Sequence, residues 1–582
     1  MRVEATDGGG AALDGLLREV AIFSAASPQV IEELAAAADA VFVSAGDFLY
    51  RQGDEADGLA IVASGRLEIY FEGPPPAVVG TARRGDVLGE LSLLTAGTRA
   101  AAVRASRDSL LYRVSRANFE KVIAENPRLG LAIARNLGER LRLSTPLERP
   151  RHRPTVFAVV PLDGGLSPRP FVEEFSRAIG AASRVVGTSD LSQSDDAARA
   201  EWLDRTESWG ATVLLLAETG DRGWFDFCLR SSDRVVLLTR GQPLAELAAD
   251  QRLRRRDLVF VDGAPARPQL RGALDAFEPT THHVLRQACF AHDVDRVARR
   301  LTGSSIGLVL SGGGARGLAH IGVVERLLAA GIQIDRIGGC SMGGLVGAML
   351  ALDWSATQIH AVAKDELVRQ RPFSDYRVSR VSLLRAKKAE AMLRRILADS
   401  LLEEMHRPFF CVSADLTTGQ LVVHRRGQLL DSVGASMSIP GLVPPRRIEG
   451  RWLVDGGVLD NLPVDVMAGD GEGPVVAVDV MRGAGPLDVG KTMSPSMLNT
   501  VVRATVIGGW AQASENRRAA DVLVAPQLSD IGLFDFERFD DAVQAGREAA
   551  DAALDAIKEL SARANAAWPR ETSGYRPSSP GR

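Results

Sequence analysis

Residues 306–327 read IGLVLSGGGARGLAHIGVVERL. An apolar run of strand length meets three successive glycines, and a helical pattern with apolar residues at three- and four-residue spacing follows. Glycines at a strand-to-helix turn let backbone N–H groups approach an anion closely, and the helix N-terminus adds a partial positive charge. An oxyanion hole needs the same thing: donors fixed in advance where negative charge develops. Gly312, Gly313 and Gly314 are therefore candidate oxyanion donors, with Arg316 and Gly317 completing the motif.

Two later segments supply the rest of a reaction centre. Gly339-Cys340-Ser341-Met342-Gly343 lies between the short run IDRI and the helical GLVGAMLAL. A serine on a tight strand-to-helix turn needs glycine on both sides, because side chains there would collide across the turn. Asp455-Gly456-Gly457 follows the strand-like RWLV, 114 residues after Ser341. A carboxylate at a strand end can accept a serine proton, and catalytic pairs are spatial rather than local.

Competing readings of the same residues are weaker. Gly312-x-Gly314-x-x-Gly317 also fits a dinucleotide fingerprint, with Asp335 as the acidic residue. However, Gly339–Gly343 begins four residues after Asp335, which leaves no room for an ordinary ribose-binding loop. GPLDVGKT at 485–492 has P-loop spacing, but its strand-like VVAVDV ends at Val480 and Pro495 follows soon after. A true P-loop leaves its strand at once and opens a helix. His320 falls on the helix after the glycine loop, where a packed helix residue is expected rather than a member of a triad. No spacing suggests zinc or calcium, so no metal is expected.

The motifs GGGARG, GCSMG and DGG, in that order, resemble the patatin-like phospholipase family. The longer phrases PFFCVSADLTTGQLVVH, ASMSIPGLVPP and LVDGGVLDNLP are similar to its neuropathy-target-esterase branch in particular. The resemblance implies a Ser–Asp dyad without histidine, with Ser341 as nucleophile, Asp455 as general base and the Gly312–Gly314 amides as oxyanion donors. Gly339, Gly343, Gly456 and Gly457 belong to the same motifs. The implied reaction is hydrolysis of a phospholipid or lysophospholipid acyl ester through an acyl-enzyme, with no cofactor required for catalysis.

Further upstream, short alternating runs such as GLAIVASGRLEIYF are broken by Gly and Asp turns, which reads as a small β-roll or barrel over about 11–115. A helical stretch is expected from Asn118 through Leu143. Within the β-rich region, Leu88–Leu94 (LGELSLL) leads to Thr98-Arg99-Ala100-Ala101. A turn carrying one Glu and one Arg can meet a ribose hydroxyl and a phosphate with charge-assisted bonds. The segment resembles the phosphate-binding cassette of cyclic-nucleotide-binding domains. That implies Glu90 on the ribose, Arg99 on the cyclic phosphate, and Gly89, Leu91 and Ala100 lining the turn. Ala101, where cGMP-selective members usually carry Thr, favours cAMP as an allosteric ligand. Thr98 stands where many binders have Pro.

The expected organisation is a multidomain chain: a cyclic-nucleotide-binding β-roll with helices at 11–145, a Pro/Arg-rich linker at 146–154, and a middle α/β spacer domain at 155–298. A patatin-like α/β hydrolase domain at 299–560 and a disordered tail at 561–582 complete it. Length alone excludes one core, since 582 residues exceed what a single domain usually packs. A net charge of −4 gives no electrostatic case for nucleic acid. Four widely spaced cysteines suit a reducing cytoplasm, and no export signal or membrane-spanning run is read. Between Arg369 and Lys388, seven basic residues and one acid are interleaved with Phe373, Tyr376, Leu383 and Leu384. In a lipid hydrolase such a stretch suits a lid touching anionic headgroups, and thus peripheral membrane contact. A reading from another class is a non-catalytic cyclic-nucleotide-responsive scaffold that keeps the fold for lipid binding; intact Ser341 and Asp455 argue against it.

Overall fold

The computed structural model describes residues 9–20, 23, 26–72, 77–94, 97–126, 154–180, 183–191, 195–218, 220–253, 256–376, 381–482 and 509–566. The helical pattern beyond residue 126, the linker at 146–153 and the P-loop-like stretch at 485–492 lie outside the described residues. The chain forms two compact units, Met1–Leu238 with Pro243–Asp257, and Thr239–Gln242 with Leu258–Arg582. The dividing line falls inside the middle α/β region.

In the first unit, two four-stranded antiparallel sheets make the β-roll that the alternating runs predict. One correction applies at its start. Residues 11–36, read as part of the strand-rich region, carry the helices Gly9–Glu19 and Pro28–Ala36 before the first strand at Ala38. The signals were present: Leu13, Leu16, Leu17 and Val20 are buried at helical spacing. Ser27 accepts from the Val30 N–H as an N-cap, with Pro28 in the first turn. After the roll come parallel strands hydrogen-bonded in the order Ser183–Val186, Thr212–Leu216, Val156–Pro161, Arg234–Thr239. Val156 to Val160 are all buried, as expected of a parallel strand covered on both faces.

The roll and these strands meet through buried charge. Arg66 and Arg107 from the roll donate to Asp233 at 2.7 and 2.6 Å and to Glu207 at 3.2 and 2.7 Å. The Thr155 backbone N–H donates to Asp233 at 2.8 Å. Burial alone would raise the Asp233 carboxyl, but the two guanidiniums win and hold it far below its ordinary range.

The second unit carries one large sheet, and four of its strands decide the site. They are β1 (Ile306–Leu310), β2 (Ile334–Cys340), β3 (Phe409–Asp415) and β6 (Arg451–Asp455), with β4 (Leu421–His424) and β5 (Arg446–Ile448) between the last two in sequence. β1, β2 and β3 run parallel, whereas β4 and β6 both pair antiparallel with β3. Cys411 and Val412 pair with both β2 and β4, while Ser413 and Ala414 pair with both β4 and β6. A strand has only two edges, so β2 and β6 must share one edge of β3 and meet there end to end. Cys340 sits opposite Val412 and Asp455 opposite the next residue, Ser413.

The helix Ser341–Ala351 leaves the end of β2 and is buried along its whole length. That accounts for the uncharged stretch from Ile337 to Leu352: it is strand and central helix in a core. No helix among the described residues is long and apolar enough to cross a membrane. A second correction concerns the C-terminus, where the helix Phe539–Ala566 runs into residues 561–566, the start of the expected tail. ARANA continues the helix because it is rich in strong helix formers, and the first proline beyond it is Pro569.

Removing Arg107, which is 2% exposed, leaves two buried carboxylates with the single guanidinium of Arg66 against them. Arg107→Ala is expected to lower the stability of the first unit by about 3–5 kcal/mol, read as a shift in the urea midpoint at unchanged slope.

Candidate active site

The meeting of β2 and β6 places Ser341 beside Asp455. The Ser341 hydroxyl lies near enough to the Asp455 carboxyl to favour its ionised form. That carboxyl accepts from the Gly457 N–H at 2.9 Å and from the Cys340 thiol at 3.5 Å. Burial raises the carboxyl to about 6, against the pull of these three donors. These donors are uncharged, and desolvation outweighs them.

Ser341 occupies a left-handed backbone conformation, φ +51°, a strain of the kind concentrated at functional sites. A Cβ on Gly339 would come within 2.7 Å of the Gly343 backbone, and one on Gly343 within 2.3 Å of the Leu310 carbonyl. The glycine-x-serine-x-glycine spacing is thus enforced by backbone against backbone. The Ser341 N–H is held by the Ser436 hydroxyl at 2.9 Å, and the Asp455 N–H donates to the Ser438 carbonyl at 2.9 Å.

The glycine loop lies against the serine. A Cβ on Gly312 would sit 3.1 Å from the Ser341 Cβ. Asn461 ties this residue from both sides: its amide donates to the Gly312 carbonyl at 3.1 Å, and its own carbonyl accepts the Gly312 N–H at 3.2 Å. The Gly312 N–H is therefore engaged, whereas the Gly313 and Gly314 amides carry no such bond among the described residues. Arg316 anchors the loop by donating to the Ile531 carbonyl at 2.6 Å. Gly317 packs against Met342, and Gly456 against the Val412 carbonyl. A cavity of about 50 Å³ opens between Gly312–Gly314, Ser341 and Asp455, with an apolar rim that includes Ile439, Pro440, Leu533 and Phe534.

His320 takes no part. It is buried, donates to the Ser311 carbonyl at 2.8 Å, and is lowered by burial to about 4, which keeps it neutral. Asp335 is equally accounted for, paired with Arg299 at 2.6 Å and accepting from the Ile306 N–H. No group of metal-ligating side chains occurs among the described residues. Asn461, Ser436, Ser438 and Cys340 were missed as site residues. LVDGGVLDNLP contains Asn461, but nothing in a one-dimensional pattern marks it as the partner of a loop 149 residues away.

In the first unit, the residues of the expected nucleotide turn also gather. The Arg99 guanidinium is buried 4.1 Å from the Tyr50 ring centroid and donates to Asp57 at 3.0 Å and to the Gly58 carbonyl at 2.8 Å. Gly89, at φ +86°, takes a left-handed conformation that favours glycine, and it lies against the Arg99 guanidinium. Glu90 is buried and opens the short helix Glu90–Leu94 that contains Leu91, while Ala100 is exposed. Tyr50 feels both charges. Burial raises its hydroxyl to about 12, with Arg99 opposing and Glu90 adding.

Two family models match the segments that contain these residues. Residues 308–468 match the model of patatin-like phospholipase, and residues 40–126 that of the cyclic nucleotide-binding domain. An uncharacterized NTE family protein of Mycobacterium tuberculosis is 33% identical over 94% of this chain and 97% of its own length. The lysophospholipase nte1 of Aspergillus niger is 27% identical over 89% of this chain, which spans 42% of that longer protein. Among solved structures, the regulatory domain of Toxoplasma gondii PKA with cAMP is 28% identical over 20% of this chain and 46% of that one, with a TM-score of 0.20.

Asn461 fixes the loop that faces Ser341. Asn461→Ala is expected to slow labelling of Ser341 by a fluorophosphonate about 10²-fold, the cost of a misplacement of roughly 1 Å, while thermal unfolding shows the fold retained.

Proposed function

The chain belongs to the NTE family, and from that premise we propose that Ser341 and Asp455 form the Ser–Asp dyad of a hydrolase of fatty-acyl esters in phospholipids and lysophospholipids. The observation that carries this reading is the end-to-end meeting of β2 and β6, which sets a strained serine against a buried carboxyl. The patatin-like phospholipase match covers the same residues.

The Ser341 oxygen attacks the ester carbonyl as Asp455 takes its proton. Negative charge develops on the carbonyl oxygen and is met by the Gly313 and Gly314 amides, with Gly312 held back by Asn461. Collapse expels the glycerol alkoxide, which takes the proton from Asp455 and leaves a seryl ester. Water then attacks that ester with Asp455 again as base, the seryl oxygen leaves and takes the proton back from Asp455, and the fatty acid departs. No third residue is needed to orient the base, because the Gly457 N–H and the Cys340 thiol already hold the carboxyl.

The first unit carries the cyclic nucleotide-binding domain, and Arg99 and Glu90 are its phosphate and ribose ligands in this reading. Ala101 favours cAMP. Control of hydrolysis by cAMP requires the ligand to bind active and inactive states with different affinity. The partners are then a lipid substrate and a cyclic nucleotide.

A base must be ionised to work, so kcat/KM is expected to rise with pH through a midpoint near 6, the value to which burial raises Asp455. A lipid panel read by mass spectrometry should show release of fatty acid by the wild type. Ser341→Ala and Asp455→Asn should each lower the rate by about 10⁴-fold; equal product from all three rejects the dyad. Calorimetry with cAMP should give a binding isotherm that Arg99→Ala weakens about 10- to 100-fold, the worth of a charge-assisted bond.

A further inference from the structure

Exposed apolar and cationic side chains that none of the chemistry above uses lie on the segments leading away from the dyad. Among the described residues of the second unit, the exposed large hydrophobic side chains are Tyr376, Val381, Leu416 and Trp452, at 70%, 62%, 57% and 49% exposure. All four belong to segments hydrogen-bonded to the walls of the active site. β6 continues outward from Asp455, so Trp452 stands three residues, about 10 Å, beyond the level of the dyad. The Leu416 N–H extends that ladder by donating to the Trp452 carbonyl at 2.9 Å. On the other side, the Leu383 and Leu384 N–H groups donate to the carbonyls of Gly441 and Leu442, just after Ile439 and Pro440 of the cavity rim. Tyr376 bridges to Leu384, and Val381 lies two residues before Leu383.

Positive charge is interleaved with these side chains. Arg447 is the cross-strand partner of Trp452 on the β5–β6 hairpin and lies 5.7 Å from its ring centroid. Arg451, Arg385 and Lys387 are exposed nearby. The acids of the same segments are Glu449, in the hairpin turn, Asp375, whose carboxylate accepts the Lys387 N–H at 2.8 Å, and Asp415, which is buried and accepts the Thr417 N–H at 2.8 Å. Glu449 and Gly450 both have positive φ, as a tight two-residue hairpin turn requires, so the Trp452 end of the hairpin is a stiff projection.

We infer that this face docks the catalytic unit on an anionic lipid surface, with Trp452, Leu416, Tyr376 and Val381 entering the headgroup region and Arg447, Arg451, Arg385 and Lys387 meeting lipid phosphates. Aromatic side chains with one apolar and one wet side belong at such an interface, and a cation near an anionic surface strengthens binding about fivefold. Docking in this orientation turns the mouth of the Ser341 cavity toward the membrane, so that an ester reaches the nucleophile without crossing bulk water. The inference rests on the lipid-ester reading of the site.

Its test is flotation of full-length Ser341→Ala protein with phosphatidylcholine vesicles, with and without phosphatidylglycerol. Binding should be stronger on the anionic vesicles. Adding Leu416→Ser with Trp452→Ser should weaken it about tenfold or more, and adding Arg447→Ser with Arg451→Ser about 25-fold. In the otherwise wild-type chain, the Leu416/Trp452 pair should leave hydrolysis of the soluble ester nitrophenyl butyrate unchanged and slow hydrolysis of vesicle lipid. Vesicle binding unaltered by both pairs overturns the inference. So does a change from dimer to monomer in the variants with vesicle binding intact, which would assign the face to a second copy of the chain. Nitrophenyl butyrate hydrolysis that survives Ser341→Ala defeats the dyad instead and leaves the flotation result standing, so the two failures are separable.

Discussion

One edge of β3 has room for two strands only if they meet end to end, and the catalytic unit is built around that junction. Because β2 stops opposite Val412 and β6 ends opposite Ser413, the residue after Cys340 must turn sharply out of the sheet. Ser341 takes that turn with φ +51°. The glycines at 339 and 343 follow from the same constraint, since the helix leaving the turn passes within contact of the strand ends. Asp455 arrives from the opposite direction as the last residue of β6, already buried. Local strain and desolvation are costs of this arrangement, and a well-packed α/β core bears them.

Burial pushes carboxyls up in both units, and their partners decide the outcome. Asp233 is enclosed between two guanidiniums and is held far below its ordinary range, a charge kept for structure. Asp455 is enclosed with a hydroxyl, an amide and a thiol, none of them charged, and is raised to about 6. The first group is committed as an anion at any working pH. The second is poised to gain and lose a proton near neutrality, as a general base must. Arg99 shows a third case: a buried cation whose neutralising partner, Asp57, is half exposed, which leaves the guanidinium beside an accessible turn.

The site was legible wherever its physics is local. Three glycines at a strand-to-helix turn, a glycine-flanked serine and a carboxylate after an apolar strand each leave a short signature, because each solves a steric or solvation problem within a few residues. Asn461, Ser436 and Ser438 leave none. Their work is done through hydrogen bonds to backbone groups between 17 and 149 residues distant in sequence, and backbone contacts place no demand on the partner's side chain. The β-roll was legible from alternation. The helices at Gly9–Glu19 and Pro28–Ala36 were hidden beneath the stronger strand signal that follows, although their caps and spacing conformed to ordinary rules. The end of the last helix was misplaced for a similar reason: polar composition suggested a tail where alanine propensity carried the helix on to Ala566.

The central claim is that a seryl oxygen at position 341 carries the acyl group between two half-reactions. Its most direct measurement is acid quenching during turnover of a long-chain lysophospholipid, followed by peptide mass spectrometry. A fatty-acyl mass is expected on the peptide containing Ser341 and on no other. An acyl group found elsewhere, or steady product release with Ser341 never modified, would contradict it.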